Sequence, residues 1–316
     1  MSRSLRIRAG IVLLAWIALV TFPEWSSAWE SSRYVAGIIR QILIFAIFAS
    51  SLNLLVGYAG LPSLGHAAFF GGGAYAAAIA AQRLSTDQLL VSLGAGIAGA
   101  TLLALLIGFL AVRALGIFFL MLTLALAQMV FALAFQATDL TGGSNGFSNV
   151  HRPTLFGLDL SAANDLYALV CVAFLLVGLL LWRVTTSTYG RALVGVRENE
   201  RRMRALGYDT RTLKLSAFVL AGAIAGVAGA LSSYEFRFVS PNDVALGTSV
   251  SGFVMVLIGG AGSLVGPILG AAAVLLIERV LPSELPAQMV LGIVFIVFVV
   301  FARQGIAGAL RRVARA

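Results

Sequence analysis

Few residues in this chain have the type and spacing that catalysis, nucleotide binding or metal binding requires. The run Gly260-x-Gly262 superficially resembles a nucleotide-binding loop, but it lacks the Gly-Lys-Ser/Thr ending that holds phosphates. The two histidines, His66 and His151, are widely separated, and the single cysteine, Cys171, lies in an apolar run. We find no paired carboxylates, Ser–His pair or metal-ligand spacing within the apolar runs. The sequence therefore predicts no enzymatic activity, no ATP site, and no cofactor or metal in this chain.

The longest charged stretch, 187–214, indicates a role of a different kind. Residues 191–206 suit a helix in which Ala192 and Val196 share one face. Gly207 follows as a plausible C′ residue that ends the helix. A short helix of this kind, held between two apolar runs, could transmit the movement of a separate motor protein. The alternative is a solvated basic loop that only sets the orientation of the chain.

The elements that must position these residues are membrane helices. Hydrophobic residues make up 60% of the 316 residues and charged residues only 11%, whereas soluble domains usually carry about 25% charged residues. Apolar runs close to the length that crosses a bilayer recur along the chain. The sequence predicts an all-α, polytopic transmembrane helical bundle of about 8–10 membrane segments, some short or broken, in a single domain over 1–316. We place the segments at 11–22, 35–56, 66–82, 88–112, 114–137, 165–186, 215–234, 247–264, 266–281 and 286–302.

The distribution of charge predicts the orientation of the bundle. A net charge of +9 could indicate nucleic acid, but the basic residues lie at the ends of apolar runs, which indicates a lipid bilayer as the partner and no nucleic acid. With both termini in the cytoplasm, 16 of the 22 basic residues fall on the cytoplasmic side. The positive-inside rule thus favours a multi-pass protein of the bacterial inner membrane with cytoplasmic N- and C-termini. We expect residues 1–28 to be retained as a first helix, with cleavage as a signal peptide as the alternative.

Two segments leave their arrangement open. The stretch 259–267 is rich in glycine and ends in a proline, so either two short spans meet there at the cytoplasmic face or one long span is broken. The outer loop 138–164 is the longest on its side. It could dock another protein or form a gate, and the alternative is a plain connector.

Four groups of motifs occur in a fixed order. They are NLLVGYAG at 53–60 with SLGHAAFF at 63–70, TGGSNG at 141–146, GRAL, RENE and ALG at 190–193, 197–200 and 205–207, and GGAGSLVGP at 259–267. Together they resemble LivM-type permeases of branched-chain amino-acid ABC importers, over roughly residues 40–300. One departure is Leu61-Pro62, where the family usually has Gln before an apolar residue, so a role of that Gln cannot be carried over.

The resemblance implies an assembly with separate motor subunits. A LivH-like second permease subunit, two cytoplasmic ATPase subunits that bind ATP, and a periplasmic substrate-binding protein would be the partners. Importers of the same pattern for urea, short amides or aromatic acids are open alternatives. A stand-alone secondary transporter is another alternative, although such a transporter would usually carry ionisable residues within its membrane spans. The residues expected to couple to the ATPases are Arg191, Arg197, Glu198, Asn199, Glu200, Ala205 and Gly207.

The glycine-rich and polar positions supply the candidate translocation pathway. Unwound backbone and half-helix ends can bind the carboxylate and ammonium of a zwitterion, and helix packing alone is the alternative. For His66 we expect a structural hydrogen bond, with gating or substrate contact as the alternative. The predicted pathway residues are Asn53, Gly57, Gly60, Ser63, His66, Gly259, Gly260, Gly262 and Ser263.

Overall fold

The computed structural model describes most of the chain between residues 32 and 280. The described ranges are 32–83, 88–114, 116–148, 150, 152–155, 158–159 and 163–280, with a few positions between 289 and 308. The predicted span 11–22, most of the predicted span 286–302, His151 and the basic C-terminal tail lie outside the described residues.

Helices make up nearly all of the described chain, which confirms the predicted fold class. Five helical segments in the described part are long and apolar enough to cross a membrane. The helices are α1 (Ser32–Asn53), α2 (Ala67–Arg83), α3 (Leu89–Ala111), α4 (Ile117–Gln136), α5 (Thr138–Thr141), α6 (Ala163–Thr186), α7 (Thr188–Ala205), α8 (Thr210–Phe236), α9 (Leu246–Gly259) and α10 (Gly266–Val280). A π-helical segment, Leu54–Ala59, continues α1, and 3-10 turns cover Gly143–Asn145 and Pro241–Val244.

Side-chain contacts define two ends of the bundle. At the loop end, Arg40 near the start of α1 forms an ion pair of 2.7 Å with Glu235 at the end of α8, and Arg83 donates to the carbonyl of Asp139. At the basic end lie α7, the turn after α3 that carries Arg113, and the turn between α9 and α10. The segments predicted to share the cytoplasmic side therefore share one end of the molecule.

The segment 138–164 is more ordered than a plain connector. Its strand β1 (Phe147–Ser148) pairs antiparallel with β4 (Phe238–Val239), with Phe147 opposite Val239. Strands β2 (Thr154–Leu155) and β3 (Leu158–Asp159) pair with each other. The first pairing ties this loop to the chain that follows α8, so the loop end is closed by contacts far apart in sequence.

Small residues let α2, α3 and α8 pack closely in the core. A Cβ on Gly229 would overlap the carbonyl oxygen of Phe70, so α8 can approach α2 only because this position has no side chain. Further along the same face of α8, Gly222 faces Ala104 and Gly226 faces Ala100 of α3. The spacing Gly222-x-x-x-Gly226 therefore forms a close helix contact.

Other helices present apolar side chains to the outside. Phe118 and Met129 on α4 are 71% and 67% exposed, and Leu176 on α6 is 60% exposed. Such exposure is unfavourable in water and is expected where lipid covers the surface. These helices therefore form the lipid-facing side of the bundle.

The glycine-rich stretch joins two short antiparallel helices. A Cβ on Gly270 of α10 would overlap the carbonyl oxygen of Met255 on α9, and one on Gly259 would overlap that of Gly266. The turn between the helices has positive φ values at Gly260 (104°) and Gly262 (80°), which favour glycine. Of the two arrangements left open by the sequence, the structure has two short segments that meet in a turn.

Candidate functional site

The end of α1 is tied to the α9–α10 turn by one buried amide. Asn53, which is 2% exposed, donates from Nδ2 to the carbonyl of Ser263 at 2.9 Å and accepts from the amide of Gly262 at 2.8 Å. The side chain of Ser263 closes the turn itself, donating to the carbonyl of Gly260 and accepting from the amide of Gly266, each at 3.0 Å. One side chain from each segment therefore satisfies backbone groups that the broken helices leave free.

The π-helical segment brings its backbone against the same turn. A Cβ on Gly57 would overlap the backbone nitrogen of Gly262, and Gly60 ends the segment with φ of 69°. A π turn leaves helix carbonyls out of the regular ladder and often marks a functional position. The carbonyl of Gly57 accepts a hydrogen bond from Arg197 of α7, and the side-chain stem of Arg197 lies against Gly60.

These contacts bring two predicted sets of residues together. We call the group Asn53, Gly57, Gly60, Arg197, Gly262 and Ser263 the basic-end junction. Arg197 belongs to the predicted coupling residues, and the other five belong to the predicted pathway. A displacement of α7 at Arg197 would act directly on the π-helical segment, because the guanidinium donates to Gly57, and through Gly57 on the glycine turn packed against it.

The remaining predicted pathway residues lie outside this junction. His66 is fully buried, and its Nε2 lies 2.7 Å from Oγ of Ser51. Since the Ser51 hydroxyl donates to the carbonyl of Phe48, the Nε2–H of His66 is the donor in that pair. Ser63 accepts from the amide of Gly65. The structural hydrogen bond expected for His66 is therefore present.

Helix α7 differs from the predicted continuous helix over 191–206. It begins at Thr188, after Ser187 accepts from the amide of Gly190, and it is broken at Asn199, where φ and ψ are −158° and 92°. The prediction of one uninterrupted helix is wrong because the Asn199 side chain accepts from the amide of Arg202 at 2.9 Å and starts a new helical turn.

Two other features of α7 agree with the sequence. Ala192 and Val196 are buried, as expected for the face toward the bundle. Gly207 has φ of 87°, and the amide of Tyr208 donates to the carbonyl of Met203 at 3.1 Å. That bond and the left-handed glycine form a Schellman ending, so Gly207 ends the helix as predicted.

Glu200 connects the end of α7 to the start of α8. Its carboxylate lies 2.9 Å from Nζ of Lys214 and 3.0 Å from the guanidinium of Arg204, and it accepts from Thr210 at 3.0 Å. Burial alone would raise the pKa of Glu200, but the hydrogen bonds and charge of Lys214, with the bonds of Thr210 and Arg204, lower it. Glu200 is therefore held as an anion that fixes α7 on α8.

The other predicted coupling residues are on the surface. The guanidinium of Arg191 donates to the carbonyl of Thr186 at 3.1 Å. Arg191, Glu198 and Ala205 are exposed. The outer face of α7 is thus polar and accessible, while Arg197 and Glu200 hold the helix to the membrane segments.

A cavity of about 400 Å³ lies away from the basic-end junction, between α1, α2, α9 and α10. Its apolar walls come from Phe45, Phe70, Met255 and Leu275. Its polar lining consists of Asn242, Asp243, Thr248, Ser251 and Glu278, with backbone at Ala245 and Gly247. We call it the polar cavity. Polar and apolar groups line it in similar measure, and convergent polar groups of this kind can fix the orientation of a small molecule.

Sequence reasoning missed every residue of the polar cavity. The motifs single out neither Asp243 nor Glu278, although Glu278 falls inside the predicted span 266–281. A carboxylate within a membrane segment is a signal for function, and it could have identified this position. Asp243 gave a weaker signal, because it follows α8 in a short 3-10 turn that the hydropathy pattern does not reveal.

The described chain is a helical bundle with broken segments, a cavity lined by polar groups and a basic helix attached at one end, features that suit a solute permease of the membrane. Comparison with known proteins identifies its kind. The chain belongs to the family described as branched-chain amino acid transport system / permease component, which matches residues 34–302.

Several curated relatives agree with this family. The chain is 31% identical to the high-affinity branched-chain amino acid transport system permease protein LivM of Escherichia coli K12, over 91% of this chain and 74% of the relative. It is 26% identical to the probable branched-chain amino acid transport permease protein LivM of Methanocaldococcus jannaschii, over 75% and 78%. It is 27% identical to the autoinducer 2 import system permease protein LsrC of Escherichia coli O9:H4, over 47% and 44%. No solved structure matches the chain significantly.

Proposed function

We propose that this chain is a membrane permease subunit of an ATP-binding-cassette importer that moves branched-chain or related amino acids into the cytoplasm. The observation that carries the proposal is the hydrogen bond from Arg197 to the carbonyl of Gly57, a residue packed directly against Gly262 of the glycine turn. A permease without its own motor needs a part that a separate motor can move. The exposed face of α7 offers that part, and Arg197 connects it to both broken segments.

The polar cavity is the proposed place where the solute passes. Phe45, Phe70, Met255 and Leu275 offer apolar contacts for an aliphatic side chain. Asp243 and Glu278 offer negative charge for the ammonium group of an amino acid. The Phe48 ring contacts both Phe70 at 4.9 Å and His66 at 5.5 Å, between centroids, which connects the predicted pathway residue His66 to the cavity wall.

The assembly proposed for this chain contains a LivH-like second permease subunit and two cytoplasmic ATPase subunits that bind the ATP. A periplasmic substrate-binding protein delivers the amino acid to the loop end. The chain lies in the bacterial inner membrane, with the basic end and both termini in the cytoplasm. The excess of basic residues around α7 supports this orientation, because cytoplasmic loops carry such an excess.

Asp243 and Glu278 also favour a second candidate. Secondary transporters usually carry ionisable residues at membrane depth, and these two carboxylates line the polar cavity. In a stand-alone transporter they would bind a coupling ion or proton, and uptake would need no ATPase. The two candidates therefore differ in whether the chain alone transports.

The test is uptake of labelled leucine by proteoliposomes that contain the chain with its second permease, ATPases and binding protein. We expect uptake that requires ATP, and Arg197→Gln should lower it at least about tenfold, because a charge-assisted hydrogen bond is worth about 1.5–3 kcal/mol. ATP hydrolysis should continue in this variant. Arg183→Gln is the matched control, because Arg183 is an exposed arginine just before α7 and should leave uptake unchanged.

Three results would contradict this proposal. Leucine uptake by the chain alone, without ATP, would identify a secondary transporter. Uptake of urea, a short amide or an aromatic acid but of no branched-chain amino acid would replace the substrate class. Normal ATP-driven uptake by Arg197→Gln would show that α7 does not act through the basic-end junction.

A further inference from the structure

A basic pocket of about 410 Å³ lies at the basic end, between the turn after α3, the end of α7 and the start of α8. Its charged lining consists of Arg113, Glu200, Arg204, Asp209, Arg211 and Lys214. Four of these side chains are cationic and two are anionic. The basic pocket shares no lining residue with the polar cavity, so it is a separate site.

Two of the four cations are free to bind an added anion. Glu200 is already engaged by Lys214 and Arg204. The Asp209 side chain accepts from the first amides of α8 and acts as its N-cap. Arg113 and Arg211 are exposed and form no salt bridge with any residue that the structure describes.

The two unpaired arginines share one aromatic platform. The guanidinium carbon of Arg113 lies 4.7 Å from the ring centroid of Phe109, and that of Arg211 lies 5.9 Å from the same centroid. These contacts come from two different elements, the turn after α3 and the start of α8. A guanidinium stacked on a ring keeps its N–H groups available in a fixed plane, a geometry that suits phosphate oxygens.

An apolar strip on α3 leads directly to this platform. Its side chains are spaced by three or four residues, which places them on one face of the helix. Each is between 45% and 58% exposed, and they are Leu102, Leu105, Leu106, Phe109 and Leu110. The strip lies on one of the five described helices that are long and apolar enough to cross a membrane, so we expect hydrocarbon chains to cover it. The pocket therefore sits where lipid acyl chains meet lipid headgroups.

We propose that the basic pocket binds the phosphate-bearing headgroup of an anionic phospholipid whose acyl chain lies along the α3 strip. Basic pockets between membrane helices on the cytoplasmic side are suited to such headgroups, and exposed aromatic side chains such as Tyr208 favour the same depth. Inorganic phosphate shares the headgroup chemistry. It would gain nothing from the apolar strip, so the strip favours the lipid.

Binding at this pocket is linked to the position of α7. Arg204 and Lys214 line the pocket and also hold Glu200, the residue that fixes the end of α7 on α8. An anion beside these cations changes the balance of that ion-pair network. Lipid occupancy and the position of α7 therefore affect each other, because a coupling between two sites acts in both directions.

The test uses the full chain in nanodiscs of neutral phosphatidylcholine, titrated with phosphatidylglycerol and measured as lipid retained in native mass spectrometry. We expect Arg113→Gln and Arg211→Gln to weaken retention about fivefold each and the double variant about thirtyfold. Phe109→Leu keeps the surface apolar but removes the platform, and it should weaken retention about twofold to fivefold. Arg183→Gln changes the same charge at the same end and should have no effect.

Three outcomes overturn the lipid site. The first is equal retention of phosphatidylglycerol by the double variant and the wild type, provided that both unfold at the same temperature. The second is a pair of results: millimolar inorganic phosphate displaces the lipid, and the pocket binds a lipid without long acyl chains as tightly as phosphatidylglycerol. Together they would identify a site for soluble anions. The third is loss of ATPase binding in the double variant with unchanged lipid retention, which would identify a protein-docking surface.

Discussion

Replacing Asn53 with alanine tests whether one side chain holds the two broken membrane segments together. The change removes two hydrogen bonds, of 2.9 Å to the carbonyl of Ser263 and 2.8 Å from the amide of Gly262. It leaves both backbone groups buried at the basic-end junction. A hydrogen bond contributes about 1 kcal/mol net in proteins and about 0.6 kcal/mol on average between membrane helices. We therefore expect the free energy of unfolding to fall by about 1–2 kcal/mol.

The measurement is equilibrium unfolding of the purified chain in mixed micelles, with ATP-driven uptake by the reconstituted complex as a second assay. Ser50→Ala is the matched control, because Ser50 lies one turn earlier on α1 and its hydroxyl makes no hydrogen bond with a described residue. Its effect should stay below about 0.5 kcal/mol. If Asn53→Ala were as stable as Ser50→Ala, the amide would not join the segments, and the mechanical argument for the junction would fail.

Three further predictions concern packing and charge. Gly229→Ala should destabilise the chain by about 1–3 kcal/mol, because the added Cβ would overlap a backbone carbonyl of α2. The control, Gly178→Ala on α6, has open space around the added Cβ and should leave the stability unchanged. Thermal unfolding of both variants measures the difference. Arg40→Gln should cost about 1.5–3 kcal/mol, because it removes the charge-assisted hydrogen bonds to the buried Glu235 carboxylate and leaves Arg152 as the other cation near it, and adding Glu235→Gln should recover part of the loss in the same assay. Because the pKa of Glu200 is lowered in the folded chain, its stabilisation is fully present above the usual value of 4.5 and is lost as the pH falls from there through the folded value; the difference in unfolding midpoint between wild type and Glu200→Gln should therefore stay constant from pH 7 to about pH 5 and shrink below pH 4.5.

The helices were predictable because hydropathy and glycine punctuation act locally. The spans 88–112 and 165–186 match α3 and α6 within two residues at each end. Gly207 was predictable as well, since a left-handed position after a helix requires little more than the glycine itself. Local signals of this kind need no knowledge of the partner surfaces.

The contacts that assemble the site could not be predicted in the same way. Arg197 and Gly57 are separated by 140 residues, and no local pattern indicates that one bonds to the other. Asn199 breaks α7 through its own side chain, a competition that helical periodicity does not detect. The polar cavity depends on where the 3-10 turn carrying Asp243 folds back against α2, which only tertiary packing decides.

The short lengths of α9 and α10 determine how much of a bilayer these two helices can cross. With 14 and 15 residues, these helices extend about 21 Å and 22 Å, less than the hydrocarbon thickness of about 30 Å. The chain before α9 lies beside Gly71, about one turn into α2, so the missing length is filled by a turn rather than by a helix. A shift of α9 by one helical turn, about 5.4 Å, would be a quarter of its length. A displacement of that size would therefore change a large fraction of the contacts that these two helices make.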